Sequence, residues 1–228
     1  MKVAAVIPWR PGQPDRERHH AVVRARLRDM LPGALHLDAD SGHTPFSRAG
    51  SRNHGAALAM AAGADVIVVC DADTIPEPGP LHAAIGQAAT DGRLHTPYTR
   101  FLGLTEDGTR DYLSGRPAPE CGIDLDYGFS VGGVFVIRPD AWWSAGGMDE
   151  RFTGWGSEDV AFRRAADTLL GKTRRHEGTI VHLWHPPSPR SGPDVDDGWD
   201  LAARYAEAEG NPAAMRALVA EGKACRSR

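Results

Sequence analysis

The chain has 228 residues, 41% hydrophobic and 25% charged, with a formal net charge of −4. That composition is globular and long enough to bury a core unaided, which excludes a disordered or fibrous chain. The mild negative charge excludes a molecule that gathers nucleic acid or anionic lipid through its overall field.

The opening MKVAAVIPWRPGQ is too short for a signal core, and no apolar run reaches the roughly 18 residues a membrane span needs. Cys70, Cys121 and Cys225 are odd in number and far apart, which argues against a disulfide framework or zinc site and for a reducing compartment. The expectation is a cytoplasmic chain with no stable membrane insertion.

Residues 3–9 form a continuous apolar run stopped by Pro8, Pro11 and Gly12, and read as a buried strand. A helix is predicted over 16–30, then a short strand over 34–37 ending in Asp38, Ala39 and Asp40. Residues 47–62 read as a helix with Ser47 at its N-cap and Gly63 at its end. DVIVVC at 65–70 is β-branched and apolar on both faces, as a central parallel strand must be.

A helix over 80–89 and a strand over 94–98 follow. Residues 100–127 carry little periodicity and are expected to form a long loop. Beyond it come a strand over 129–137 interrupted by Gly132 and Gly133, a short helix over 139–145, a helix over 157–170 and a strand over 179–184. Four prolines and two glycines make 186–198 a loop, and 199–222 reads as two helices parted at Gly210 and Pro212. Strands alternating with helices define an α/β fold with a mostly parallel sheet.

Open α/β sheets bind ligands beyond the carboxyl ends of their strands. Three successive strand ends here carry Trp9 and Arg10, then Asp38 and Asp40, then Asp71 and Asp73. An aromatic ring, a cation and four carboxylates on one rim suit a nucleotide with a metal-bound diphosphate. With 20 Asp in the chain there are four Asp-x-Asp pairs, so the pattern alone decides nothing. Position singles out Asp71 and Asp73, which follow the most buried strand, where i and i+2 side chains point the same way. Two carboxylates aimed together repel unless a cation sits between them, and oxygen ligands suit Mg²⁺ or Mn²⁺.

The second constellation is Gly154-Trp155-Gly156-Ser157-Glu158-Asp159. Ser157 is placed to cap the following helix, whose positive end favours the two acids. Trp155 between glycines is expected to be exposed, and an aromatic face beside a carboxylate suits a sugar. An ionised acid there can take a proton from an attacking hydroxyl. His182 and His185 end the late strand. Three apart on a strand they face opposite sides, which argues against both serving one metal.

Together the stretches VAAVIPWR, SRAGSRNHGAALA, ADVIVVCDAD, GGVFVIRPDAWWSAGGMDERFTGWGSEDVAFR and IVHLWH resemble the GT-A glycosyltransferases, in particular family 2 enzymes with a galactosyltransferase-type C-terminal segment. The resemblance spans roughly residues 1–186, with 100–127 unmatched. It implies a Rossmann-like, mostly parallel sheet flanked by helices with a C-terminal helical tail. Residues 1–100 would bind the nucleotide-sugar donor, 101–198 the acceptor, and 199–228 form a helical extension.

The resemblance also implies roles. Pro8, Trp9, Arg10 and Asp38 or Asp40 match the nucleoside contacts, and Arg52 and Asn53 the helix beside the donor. Asp71, Asp73 and His182 match the ligands of Mn²⁺ or Mg²⁺, with Asp73 the surer of the two acids; His185 falls at the diphosphate. Trp155 and Glu158 match acceptor-side groups, and Asp159 the base of inverting members. A UDP-sugar donor is implied, and the 186–198 loop is expected to close over it.

Two rival classes remain open. A sugar-1-phosphate nucleotidyltransferase needs a glycine run after the first strand, which WRPGQP lacks; a non-catalytic nucleotide-sugar or glycan-binding module need not keep every catalytic residue. The acceptor hydroxyl is open among a glycan, a lipid, a protein and a modified DNA base. The last rests only on a stripe of Arg16, His20, Arg24 and Arg28 along the first helix.

Overall fold

A computed structural model describes residues 1–128, 130–153, 156–186 and 193–226, with backbone alone for 193–197 and 225–226. In chain order the elements are β1 (Val3–Pro8), α1 (Pro14–Met30), β2 (Leu35–Ala39), α2 (Arg48–Ala61), β3 (Val66–Cys70), β4 (Thr74–Pro76) and α3 (Pro78–Asp91). Then follow β5 (His95–Thr96), β6 (Arg100–Leu104), α4 (Glu106–Leu113), a single 3-10 turn (Ala118–Glu120), β7 (Ile123–Tyr127), β8 (Val134–Ile137) and α5 (Pro139–Ser144). The chain finishes with α6 (Glu158–Leu169), β9 (Arg174–Arg175), β10 (Thr179–His182), α7 (Pro193–Ala208) and α8 (Pro212–Arg226).

The larger sheet has the order β2-β1-β3-β8-β5-β9. β1 pairs in parallel with β2 and β3, whereas β8 runs antiparallel to both β3 and β5. Alternation along its buried strands feeds two cores. Ala5, Ile7, Val66, Val68, Cys70, Val134 and Val136 face one side with Val23 and Leu27 of α1 and Leu81 of α3. Ala4, Val6, Ile67, Val69, Phe135 and Ile137 face the other, against Ala56 of α2, Trp142 of α5 and Phe162 of α6. Both faces covered is why VIVVC reads apolar throughout. A third cluster joins α6 to α7 and α8 through Ala161, Ala165, Tyr205, Met215 and Leu218.

Residues 100–127 are not the loop expected from the sequence. They form β6, α4 and β7, and with β4 and β10 build a second sheet ordered β4-β10-β6-β7. β6 finds its partners 79 positions away in β10, so its stability comes from long-range pairing that local periodicity does not encode. Two signals were present all the same: Ile123, Leu125 and Tyr127 alternate with Asp124 and Asp126, and Thr105 caps α4 by accepting from Gly108 N at 3.0 Å.

The expected 186–198 loop is also shorter at its far end, because α7 begins at Pro193 with a proline suited to a first helical turn. Residues 187–192 of that expected lid lie outside the described residues. Ser47 caps α2 as expected, accepting from Gly50 N at 3.0 Å. Ser157 stands at the N-cap position of α6, but its φ is 72° and its side chain accepts no capping bond. Asp159 serves instead, its Oδ1 accepting from Val160 N at 2.7 Å. Among the described residues no helix is long and apolar enough to cross a membrane.

Candidate active site

Because β1, β2 and β3 run parallel, their carboxyl ends meet on one rim. There Arg10 forms a two-pronged pair with Asp40, Nε to Oδ2 and Nη2 to Oδ1 both 2.6 Å, and donates Nη1 to His43 O at 2.8 Å. Asp40 holds its carboxyl below the usual range through that pair. Trp9 stacks on His20 with centroids 4.4 Å apart. His20 and Arg24 hold Asp38, at 2.8 and 3.4 Å. Arg16 reaches 3.2 Å from His185 Nδ1. Three members of the basic stripe on α1 therefore turn to partners inside the fold, which weakens it as a track for a polyanion.

Asp71 and Asp73 do not point the same way. β3 ends at Cys70, and the chain turns before β4, so the two-residue period of a strand no longer applies. Asp71 Oδ1 accepts from Arg52 Nη2 at 2.6 Å. Asp73 instead faces His182 Nε2 at 3.6 Å and His185 Nε2 at 3.3 Å. Asp73, His182 and His185 place their ligand atoms within 4.8 Å of one another, and Asp71 is not in the group.

The expectation that His182 and His185 face opposite sides also fails. β10 ends at His182, and Leu183 N donates to Asp73 O at 2.8 Å. The backbone beyond the strand then brings His185 back to the same carboxylate. The two imidazoles drive Asp73 well below the ordinary carboxyl range, although burial opposes the shift.

One ionised carboxylate and two imidazoles form a mixed oxygen and nitrogen set. Such a set fits a first-row transition ion, Mn²⁺ among them, better than Mg²⁺, which dehydrates reluctantly and keeps oxygen ligands. Pro186 O stands 2.8 Å from His185 Nδ1. A proton on Nδ1 bonded there leaves Nε2 free to ligate, the usual arrangement around a metal-bound histidine.

On the other flank, Arg52 is the hub. It is 2% exposed and binds Asp71 through Nη2 and Glu158 Oε1 through Nη1 at 3.2 Å, tying the end of β3 to the first turn of α6. Glu158 is 7% exposed and also held by Arg48 Nε at 2.8 Å. The structure thus gives Glu158 a different task from the open acceptor contact expected of it: burial favours full ion pairing over an exposed contact. Asn53 likewise differs from the donor contact expected. It accepts from Trp142 Nε1 and Met148 N and donates to Met148 O and Glu150 Oε1, all at 2.8–3.1 Å inside the fold.

Asp159 lies beside Glu158. Burial, followed by the Glu158 charge, raises its pKa to about 6, with Arg52 opposing. Gly132 lies so close that a Cβ there would collide with Asp159 Oδ2. Tyr98 holds that glycine, its hydroxyl donating to Gly132 O at 2.5 Å. Arg175 Nη1 and Nη2 donate to Ser130 O and Gly128 O at 3.1 and 3.2 Å. Trp155 lies outside the described residues. Arg48, Tyr98, Gly132 and Arg175 were not singled out from the sequence. Only the paired glycines at 132–133, interrupting an apolar strand, were a readable signal.

The family profile described as the N-terminal domain of galactosyltransferase matches residues 115–186. No curated protein matches the sequence significantly. Among solved structures, the catalytic domain of Drosophila β1,4-galactosyltransferase 7 in complex with xylobiose superposes with a TM-score of 0.58 at 18% identity, covering 87% of this chain and 79% of that one. A point mutant of the same enzyme with manganese, UDP-Gal and xylobiose gives 0.55 at 19%, covering 81% and 71%. GalNAc-T7 with UDP, GalNAc and Mn²⁺ gives 0.54 at 12%, covering 97% of this chain and 55% of that one.

The fold is that of the GT-A glycosyltransferases. The 115–186 segment that the galactosyltransferase profile matches contains β8, α6, His182 and His185.

Proposed function

We propose that the protein transfers a sugar from a nucleoside diphosphate sugar, with UDP as the nucleotide, to a hydroxyl of a glycan, in a divalent-metal-dependent reaction that inverts the anomeric centre. The observation that carries this is the convergence of Asp73, His182 and His185 on the rim where Arg52 ties Asp71 to Glu158, the neighbour of Asp159. UDP, Mn²⁺ and a disaccharide occupy structures of the same fold, which supports the choice of donor, ion and acceptor. Free, buried Cys70 and Cys121 support a reducing compartment, the cytoplasm.

Asp73, His182 and His185 would hold Mn²⁺, which when bound supplies Lewis-acid charge to a departing diphosphate. The remaining work falls to side chains. Pro8, Trp9, Arg10, Asp38 and Asp40 line the β1–β2 rim as the nucleoside side of the site, and Arg16 brings a positive charge next to His185. Arg52 keeps Asp71 oriented at the end of β3. Val160 N fixes Asp159 Oδ1, so Oδ2 is the oxygen that takes the acceptor hydroxyl's proton while the hydroxyl oxygen itself attacks the anomeric carbon and UDP departs. A base titrating near 6 is ionised at neutral pH yet still basic enough for the task. Trp155 keeps its role as the acceptor's stacking partner in this reading.

The test incubates the enzyme with a panel of UDP-sugars, Mn²⁺ and oligosaccharide acceptors, following UDP release and the product's anomeric configuration by NMR. An inverted glycoside whose formation stops in EDTA and resumes with Mn²⁺ is the expected result. A product of retained configuration would remove Asp159 as the base, and full activity in EDTA would remove the metal.

A further inference from the structure

Residues 148–151 run as a strap between two bodies, and alternate residues face opposite ways. On one side Asn53 of α2 binds Met148 N, Met148 O and Glu150 Oε1. On the other side the odd residues face the C-terminal helices. Asp149, 5% exposed, accepts from Tyr205 Oη at 2.9 Å and from Arg151 Nη2 at 2.7 Å. Arg151 also reaches Leu218 O at 3.3 Å and Glu221 Oε2 at 3.1 Å, and Arg204 of α7 closes the ring on Glu221 at 2.7 Å.

Fit as well as charge joins the surfaces. A Cβ at Gly222 would crowd the Asp149 carboxylate at 3.0 Å, and a Cβ at Gly146 would collide with Val219. Phe152 packs on Tyr205 with ring centroids 6.1 Å apart. A carboxylate this buried, supplied by Tyr205 Oη and by the backbone N, Nε and Nη2 of Arg151, fixes its surroundings because any loosening leaves an unpaired charge. A few residues downstream the backbone makes a sharp turn at Gly156 (φ 98°) and Ser157 (φ 72°) and delivers Glu158 and Asp159. Both helices lie beyond the 115–186 segment that the galactosyltransferase profile matches.

We propose that the C-terminal helix pair acts through Tyr205 and Glu221 as a positioning element for catalysis, clamping the 148–151 strap against α2 and so setting the aim of the turn that carries Asp159. This rests on Asp159 being the base. Tyr205 and Glu221 touch no reacting group; they act through Asp149 and Arg151. The helix pair is thus part of the catalytic apparatus and not an appendage.

The test compares full-length Tyr205→Phe and Glu221→Gln with the parent. Tyr205→Phe keeps the ring packed on Phe152 and removes only the hydroxyl. Amide exchange in the 148–153 peptide is expected to quicken about fivefold, with α2 unchanged. Turnover is expected to fall about tenfold, as for a misaimed group, while affinity for UDP with Mn²⁺, measured by calorimetry, holds. Parental exchange at 148–153 in both variants overturns the proposal whatever the activity. Equal loss of turnover, UDP affinity and global melting temperature also overturns it, by making the helices a general support. A parent enzyme that transfers no sugar, with the exchange result as expected, refutes the assigned reaction instead.

Discussion

Arg52 donates through one nitrogen to Asp71 at 2.6 Å and through the other to Glu158 at 3.2 Å, so a single buried guanidinium joins the end of the central strand to the start of α6. The two halves of the site are assembled by that fork. Replacing it with a neutral chain of similar length leaves Asp71 and a buried Glu158 short of a partner. Arg52→Met is expected to cost about 3–5 kcal/mol, the range for breaking a buried pair. Urea denaturation at pH 7 measures it, and a loss under about 1 kcal/mol would show the fork to be dispensable.

As the proposed base, Asp159 is expected to set the acid side of the activity profile. Its folded pKa, about 6, lies above the ordinary 3.8, so the folded state binds the extra proton. Stability from this group is therefore full below pH 3.8 and declines as pH rises to about 6. Activity runs the other way, because the base must be ionised. The expected kcat/KM profile falls below a midpoint near 6, and Asp159→Asn abolishes that limb while leaving UDP affinity intact. The variant should also be more stable than the parent above pH 6. A profile flat from pH 5 to 7, about a unit on either side of that midpoint, would contradict the assignment.

Gly132 gives a gentler probe of the same group. A methyl there meets the end of a side chain, Asp159 Oδ2, rather than backbone, so the structure yields by swinging the carboxylate aside. Gly132→Ala is expected to fold with a melting temperature near the parent's and to lose about 10- to 100-fold in turnover. Unchanged turnover would mean that the position of Oδ2 does not matter.

Metal binding is expected to separate Asp71 from Asp73. Mn²⁺ should raise the melting temperature of the parent, since an ion that binds only the folded state stabilises it by mass action. Asp73→Asn and His182→Ala are expected to remove that rise. Asp71→Asn should keep most of it, because Asp71 faces Arg52 and lies outside the cluster. Equal loss in the two Asp variants would restore Asp71 as a ligand.

The sequence by itself determined the elements whose pattern is local or whose environment is uniform. VIVVC had to be a central strand because both its faces meet apolar layers, and Ser47 had to start α2 because its hydroxyl satisfies a free amide of the first turn. It also named Asp73, Asp159 and His182 as chemistry-bearing positions. The tertiary structure alone decided which of them meet. Asp71 and Asp73 part because the strand ends between them and the turn that follows has no two-residue period. His185 joins His182 because the chain leaves the strand after His182. Asn53 and Glu158 are drawn inward because α2 and α6 pack on one face of the sheet and buried polar groups must find partners. Distances between residues remote in sequence are set by packing, and no local pattern carries them.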